Sequence, residues 1–188
     1  MNDSALLTIR QGAQCLVDGG VIAYPTEAVY GLGCDPDNES AVRKILELKN
    51  RPASAGLILV ADRLEHFAPY IQAVSPEMKE RALAAWPGPV TWLFPRAGRV
   101  PGWLAGEHDT VALRISAHAG CRALCDAFGG PIVSTSANPA AQEPARSVAR
   151  VESYFPGQLC GIVQGELGGS DLPSEIRDLA TGRVVRGG

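Results

Sequence analysis

VIAYPTEAVYGLGCD, residues 21–35, is the stretch on which the reading of the fold turns. Val21, Ile22, Ala23 and Tyr24 form an apolar run that reads as a buried strand. Pro25 lacks a backbone donor and has a fixed φ, so the ladder is expected to stop there. Gly31 and Gly33 then permit a positive φ or a close approach to the backbone. Taken alone the stretch is a strand followed by a tight loop, and only the rest of the chain can give that loop a purpose.

Working outward, residues 4–18 place Leu6, Ile9, Ala13, Leu16 and Val17 on one stripe, predicting an amphipathic helix with Ser4 as its cap. Asn38 precedes a second helical stripe that ends in Lys-Asn-Arg-Pro, where Pro52 blocks continuation. Strands are predicted at 57–60, 90–94, 110–116, 131–138, 161–163 and 183–186. Further helices are predicted from Asp62, from Ser75-Pro76 toward Trp86, over 118–128 and over 147–154. The order mixes strands and helices without strict alternation. That argues for an α/β fold, a twisted mixed sheet flanked by helices, in a single domain over residues 1–188. The stretch 98–109 reads as the most mobile loop.

With 188 residues, 46% of them hydrophobic and 20% charged, the composition is that of an ordinary globular domain. A net charge of −3 does not advertise a broad basic face for duplex nucleic acid, though it allows a local cationic pocket. No apolar run approaches the roughly 20 residues of a membrane span. The N-terminal stretch lacks the layout of a signal peptide. Five cysteines form no CxxC pair, so neither a disulfide framework nor a zinc site is expected and a reducing, cytoplasmic setting is. His66, His108 and His118 show no metal-ligand spacing.

Two strands carry polar residues that a purely structural strand would avoid. In TVALRIS, alternation sends Val111, Leu113 and Ile115 to one face and Ala112, Arg114 and Ser116 to the other. A mid-strand guanidinium must be solvated or paired with an anion. In PIVSTSAN, Ile132, Ser134, Ser136 and Asn138 share a side, a compact hydrogen-bonding platform or the start of a Ser/Thr turn. Lys49 and Arg51 follow the second helix as exposed cations. They either complement its dipole or face phosphate, and removing them should cost little stability. There is no GxxxxGK[ST] loop and no strand-coupled GxGxxG, so a nucleotide site must be of another design. No Ser/His/Asp or Cys/His arrangement stands out. Cys34 is a candidate nucleophile by position, but a buried structural thiol suits it better.

Taken together, YPTEAVYGLG, LKNRP, WPGPVT, DTVALRI, VSTSAN and PSEIRD resemble the YrdC-domain family, in register from about residue 20 to 186. Within it the chain is most similar to the single-domain bacterial members that make threonylcarbamoyl-adenylate. The resemblance implies a twisted sheet with a large, positively charged concave cavity. It also implies a nucleotidyltransferase that converts L-threonine, bicarbonate (as CO2) and ATP to threonylcarbamoyl-adenylate and pyrophosphate. The product would feed the N6-threonylcarbamoyl modification of the tRNA adenosine beside the anticodon, through a tRNA-modifying transfer complex.

Carried over by motif, Lys49 and Arg51 match the family's K-x-R, and Ser136 and Asn138 its S-x-N. Together with Thr110, Arg186 and, as a basic position of bacterial relatives, Arg146, they would contact ATP. Thr26, Arg114, Ser134 and Ser174 would bind threonine, with Arg114 meeting its carboxylate. Lys49 and Arg51 would also be the catalytic cations, and Mg²⁺ would be held mainly by phosphates and water. In this picture Pro25 ends its strand so that Thr26 projects into the cavity, while Gly31 and Gly33 let the loop pass close to its walls. Weak tRNA binding is part of the same expectation. Two departures stand out: Pro139-Ala140-Ala141 follows S-x-N in place of a Ser-Gly turn, and Val60 occupies the place of an archaeal histidine. Two other readings remain, a non-catalytic RNA-binding module and a carbamoyl-transfer domain of the hydrogenase-maturation type. The acidic balance and the 6% aromatics weigh against the first.

Overall fold

The structure is a computed structural model that describes residues 4–170 and 174–187. Strands β1 (Leu6–Leu7), β2 (Ile22–Pro25), β3 (Tyr30–Gly33), β4 (Ile58–Ala61), β5 (Val90–Pro95), β6 (Thr110–Ile115), β7 (Ile132–Ser136), β8 (Gly161–Val163), β9 (Glu175–Asp178) and β10 (Val184–Arg186) join in one sheet. Helices α1 (Ile9–Val17), α2 (Glu39–Lys49), α3 (Pro76–Ala85), α4 (Gly102–Ala105), α5 (Ala119–Phe128) and α6 (Val148–Tyr154) flank it. The strand order is β1-β8-β2-β3-β7-β4-β6-β5-β9-β10, with parallel and antiparallel neighbours mixed as the irregular element order required.

Local chemistry sets the elements. Asn38 caps α2 by accepting from the Ala41 N–H at 3.1 Å, and Asn50, at φ +48°, closes it in the left-handed region. Ser75 caps α3, with Pro76 as its first residue. At the amino end the expected single helix is wrong. Thr8 and Gln11 make a reciprocal capping box that starts α1 at Ile9. Leu6 and Leu7 instead pair in parallel with Ile162 and Val163, satisfying a sheet edge.

The quoted stretch is also more regular than expected. It is a hairpin in which Ile22, Ala23, Tyr24 and Pro25 oppose Gly33, Leu32, Gly31 and Tyr30. Pro25 does end its strand, but Gly31 and Gly33 lie within the partner strand rather than in a loop. The stretch 98–109 likewise holds structure, with α4 packed on the 53–55 turn.

One face of the sheet is closed by a core that runs from Val21 and Leu32 through Leu59, Leu113 and Val133 to α2, Phe67 and Trp86. The opposite face is covered only in part. There α1 and α5 pack on Ile22, Tyr24, Val60, Ile132 and Val163. At its margin Ile58 is half-buried, and farther along that face Leu93, Thr110, Ala112 and Ser136 are half-buried too. This partly uncovered floor carries Thr110 and Ser136, while Arg114 and Ser134 on the same face are buried. The cysteine expectation needs correction. Cys15, in α1, is disulfide-bonded to Cys160, just before β8. The two meet because the α1-to-β2 turn brings the end of that helix beside the start of β8. Cys34, Cys121 and Cys125 are free and buried.

Candidate functional site

The register explains how distant motifs meet. Gly31 of β3 faces Ser136 of β7; Ser134 faces Ile58 of β4; Ile58 faces Ala112 of β6, and Val60 faces Arg114. Antiparallel pairing of Trp92 with Leu113 sets Thr91 next to Arg114. Motifs scattered along the chain therefore share one side of five adjacent strands.

Lys49 is the first surprise. It is 6% exposed, not the solvated cation expected after a helix. The Nζ donates to the carbonyl of Ser136 and, at 2.9 Å, to that of Asn138. A contact of 3.5 Å reaches Ser136 Oγ. The K-x-R and S-x-N motifs are thus one unit, closed on the other side by Ala140 N–H donating to the Lys49 carbonyl at 2.9 Å. Burial first, and the charge of Arg51 second, lower the Lys49 ammonium to about 8.

Arg51 is half-buried and bends back on its own loop, donating to the carbonyls of Gly56 at 2.9 Å and Ala55 at 3.2 Å. Burial and the nearby Arg186 push its affinity for a proton down. Arg186 itself is exposed and reaches the Ser174 carbonyl at 3.5 Å. Three cations from two regions of the chain therefore converge while hydrogen-bonding to carbonyls and hydroxyls. Such repulsion is relieved by an anion. Thr110 is half-buried, two residues ahead of Ala112 on the open face. Arg146 is exposed on the loop that returns from Asn138, whose course is pinned by Ala145 N–H donating to the Ala137 carbonyl at 3.1 Å.

In that loop the Pro139-Ala140-Ala141 departure is accommodated by Ala141 at φ +61°. Asn138 Nδ2 spans it, donating to the carbonyls of Pro139 at 3.0 Å and Gln142 at 2.7 Å. Asn138 Oδ1 is buried without a hydrogen-bond partner. Val60, at the place of the archaeal histidine, is fully buried under α5.

Arg114 is 8% exposed, which removes the solvated alternative. Its Nη1 lies 3.0 Å from Glu27 Oε2. Ser134 Oγ accepts from the Tyr24 hydroxyl at 2.7 Å, which leaves the serine proton to donate elsewhere. Ser174 Oγ is 3.0 Å from Thr91 Oγ1. Thr26, 7% exposed, donates its hydroxyl to the Val29 carbonyl at 2.6 Å, so only its oxygen lone pairs remain for a further partner.

Gly31 and Gly33 serve the same arrangement. A Cβ on Gly33 would stand 2.9 Å from Tyr24 Cε1, and one on Gly31 would stand 3.3 Å from Tyr24 Cζ. The glycines make room for the Tyr24 ring, which crosses β3 to reach Ser134. They do not serve a loop along a cavity wall. Cys34 is fully buried, and burial with Asp35 pushes its thiol far up, so it is a structural thiol.

Reading the sequence missed the buried Tyr24 and Thr91 and the half-buried Glu27, the partners of Ser134, Ser174 and Arg114. A signal existed for one of them. A buried mid-strand arginine demands a carboxylate, and Glu27 sits directly after Thr26 in the quoted stretch. A surface hollow of about 460 Å³ is lined by Arg51 together with Arg43, Glu47 and Pro52. It touches none of the other candidate residues, so the site is defined by its chemistry.

A family model for the Sua5/YciO/YrdC group, described as Telomere recombination, matches residues 14–188. A protein of Stutzerimonas stutzeri named threonylcarbamoyl-AMP synthase is 52% identical over 95% of this chain and 96% of its own length. One of the same name from Halorhodospira halophila is 50% identical over 95% and 93%. The structure of P. abyssi Sua5 complexed with L-threonine superposes with a TM-score of 0.85 at 34% identity, covering 92% of this chain. This chain spans about half of that longer protein, 51% of its length. With the family model matching residues 14–188 and relatives about half identical over 95% of its length, the chain belongs to the Sua5/YciO/YrdC family.

Proposed function

We propose that the chain is a threonylcarbamoyl-AMP synthase, a nucleotidyltransferase that makes threonylcarbamoyl-adenylate and pyrophosphate from L-threonine, CO2 and ATP. Relatives about half identical over nearly the full chain carry that name. Within the molecule, the observation that carries the reading is the convergence of Lys49, Arg51 and Arg186 beside the S-x-N turn. Burial first, and then Arg51 on Lys49 and Arg186 on Arg51, disfavour the charged forms of the two motif cations, and a nucleoside triphosphate supplies the compensating anion.

On this reading the uncovered floor is the base of a concave cationic cavity. Lys49, Arg51, Thr110, Ser136, Asn138, Arg146 and Arg186 meet ATP. Arg114 meets the threonine carboxylate, while Ser134 and Ser174 donate or accept at its polar groups. Thr26 offers an oxygen to its ammonium. The threonine ammonium gives a proton to water, its nitrogen lone pair bonds to the carbon of CO2 as a C–O π bond opens, and loss of a second proton to water leaves the carbamate. A carbamate oxygen then attacks the α-phosphorus, and the bond to the pyrophosphate leaving group breaks. Neither step needs a protein acid in a fixed place. Positioning and the neutralisation of phosphate charge carry the catalysis.

Among the described residues no group of three His, Cys, Asp or Glu side chains could hold a metal. The donor set therefore suits an ion that arrives on the ATP phosphates, with Mg²⁺ held by them and by water. Residues 1–188 act as one catalytic unit in the cytoplasm. The labile adenylate passes to a tRNA-modifying transfer complex, with weak affinity for tRNA itself. Among the described residues no helix is long and apolar enough to cross a membrane.

The test is pyrophosphate release from ATP by the full chain. Release that requires both threonine and bicarbonate supports the reading. Release that ignores either one, or that runs on carbamoyl phosphate instead, overturns it.

A further inference from the structure

Glu27 is held at one carboxylate oxygen and at its backbone. Its Oε1 accepts from Ser116 Oγ at 2.8 Å and from the Ala117 N–H at 3.0 Å. Ser116 Oγ is itself held by the His118 N–H at 3.1 Å. The Glu27 carbonyl accepts from the Ser170 N–H at 2.9 Å. These bonds orient the side chain, and its Oε2, which has no hydrogen-bond partner, makes an ion-pair contact of 3.0 Å with Arg114 Nη1. The contact is single-point, one oxygen against one terminal nitrogen. Arg114 Nε is left buried with no hydrogen-bond partner. A guanidinium held by a two-point fork has its directional donors engaged, whereas this one is compensated in charge and keeps its Nε without a partner.

We propose that Glu27 is the positioning residue of the threonine subsite: it holds Arg114 in place and cancels its charge, so that the subsite takes a zwitterionic amino acid and rejects plain oxyanions. The proposal rests on Arg114 being the carboxylate partner. A buried arginine without Glu27 would trap any oxyanion, and this reaction consumes bicarbonate and releases pyrophosphate in the same site. Paired with Glu27 it carries no net charge. A zwitterion then adds none, whereas an inorganic anion leaves uncompensated charge in a half-desolvated place. The carboxylate also favours the ammonium that every amino acid substrate brings. Burial works to raise the Glu27 carboxyl, but Arg114 and Ser116 outweigh it and hold the group below its usual range, so the charge is present at neutral pH.

The experiment compares wild type with Glu27→Gln, Glu27→Asp and Arg114→Lys in steady-state kinetics, with melting temperatures to confirm folding. Sulfate is the probe anion, titrated against threonine at saturating ATP. Glu27→Gln keeps an acceptor for Ser116 and Ala117 but loses the charge. Its threonine KM should rise by at least roughly tenfold with the ATP KM little changed, the scale for breaking a desolvated charge pair. Sulfate should become competitive with threonine in Glu27→Gln and remain without effect in wild type and Glu27→Asp. An unchanged threonine KM with unchanged sulfate sensitivity in Glu27→Gln overturns the proposal. Sulfate competition in Glu27→Asp overturns it too, so the test stands even if Glu27→Gln fails to fold. An unchanged threonine KM in Arg114→Lys overturns the reading of Arg114 itself, and the proposal with it.

Discussion

Lys49 sets burial against charge, and that conflict gives the site a pH dependence with a definite sign. In the fold its ammonium titrates at about 8, against 10.5 for the free side chain. Above pH 8 the cation is lost from the phosphate site, so kcat/KM for ATP should fall on the alkaline side with a midpoint about there. Folding runs the other way. Between the two values the unfolded chain binds more protons, so this group's contribution to stability rises with pH through that window. Alkaline inactivation without a drop in melting temperature is the expected result, and parallel loss of both would refute it. The two motif cations should also separate in stability. Lys49→Ala orphans the Ser136 and Asn138 carbonyls and should cost about 1–3 kcal/mol. Arg51→Ala, whose partners lie on its own half-exposed loop, should cost under about 1 kcal/mol. Both should lose most pyrophosphate release, and urea titration with the same assay checks the pair.

The β2–β3 hairpin shows how an element can be read correctly in kind and wrongly in purpose. The end of a strand at Pro25 follows from covalent chemistry, and it was legible. The glycines looked like loop residues because nothing local says that the ring of Tyr24 lies across them. Gly33 has the tighter neighbourhood: a Cβ there would stand 3.1 Å from the Val133 carbonyl oxygen and 2.9 Å from the Tyr24 ring. Gly33→Ala should therefore destabilise the protein by roughly 1–3 kcal/mol, the scale of overpacking. Because the displaced ring carries the hydrogen bond to Ser134, threonine KM should rise as well. Gly31→Ala meets only 3.3 Å contacts and should be the milder change in both measurements. Equal effects of the two substitutions would mean that the Tyr24 ring is not what the glycines accommodate.

At the scale of the whole molecule, the Cys15–Cys160 bond spans a sequence separation of 145 residues and joins the end of α1 to the entry of β8. A cross-link of that reach constrains the unfolded chain strongly, and losing it should cost roughly 2–4 kcal/mol. Denaturation midpoints with and without dithiothreitol measure this directly. An unchanged midpoint would mean that the bond is not formed in solution. The bond lies away from the uncovered floor, at the end of the sheet that α1 and α5 close. Pyrophosphate release in the folded, reduced protein should therefore stay close to that of the oxidised form.

Most elements of this fold could be read locally, because caps, prolines and apolar periodicity act within a few residues. Asn38 and Ser75 start helices, Pro25 stops a strand, and alternation assigned Arg114 and Ser134 to the faces on which they lie. The motifs could be read too, since K-x-R and S-x-N are short contiguous patterns. What tertiary structure alone decided is which groups meet: Lys49 with the turn after Ser136, Glu27 with Arg114, Tyr24 with Ser134, Cys15 with Cys160. Each joins segments far apart in the chain, through strand register and helix packing that no short window contains. Burial behaves the same way. A lysine at a helix end is solvated unless another loop closes over it, and here the loop after β7 does.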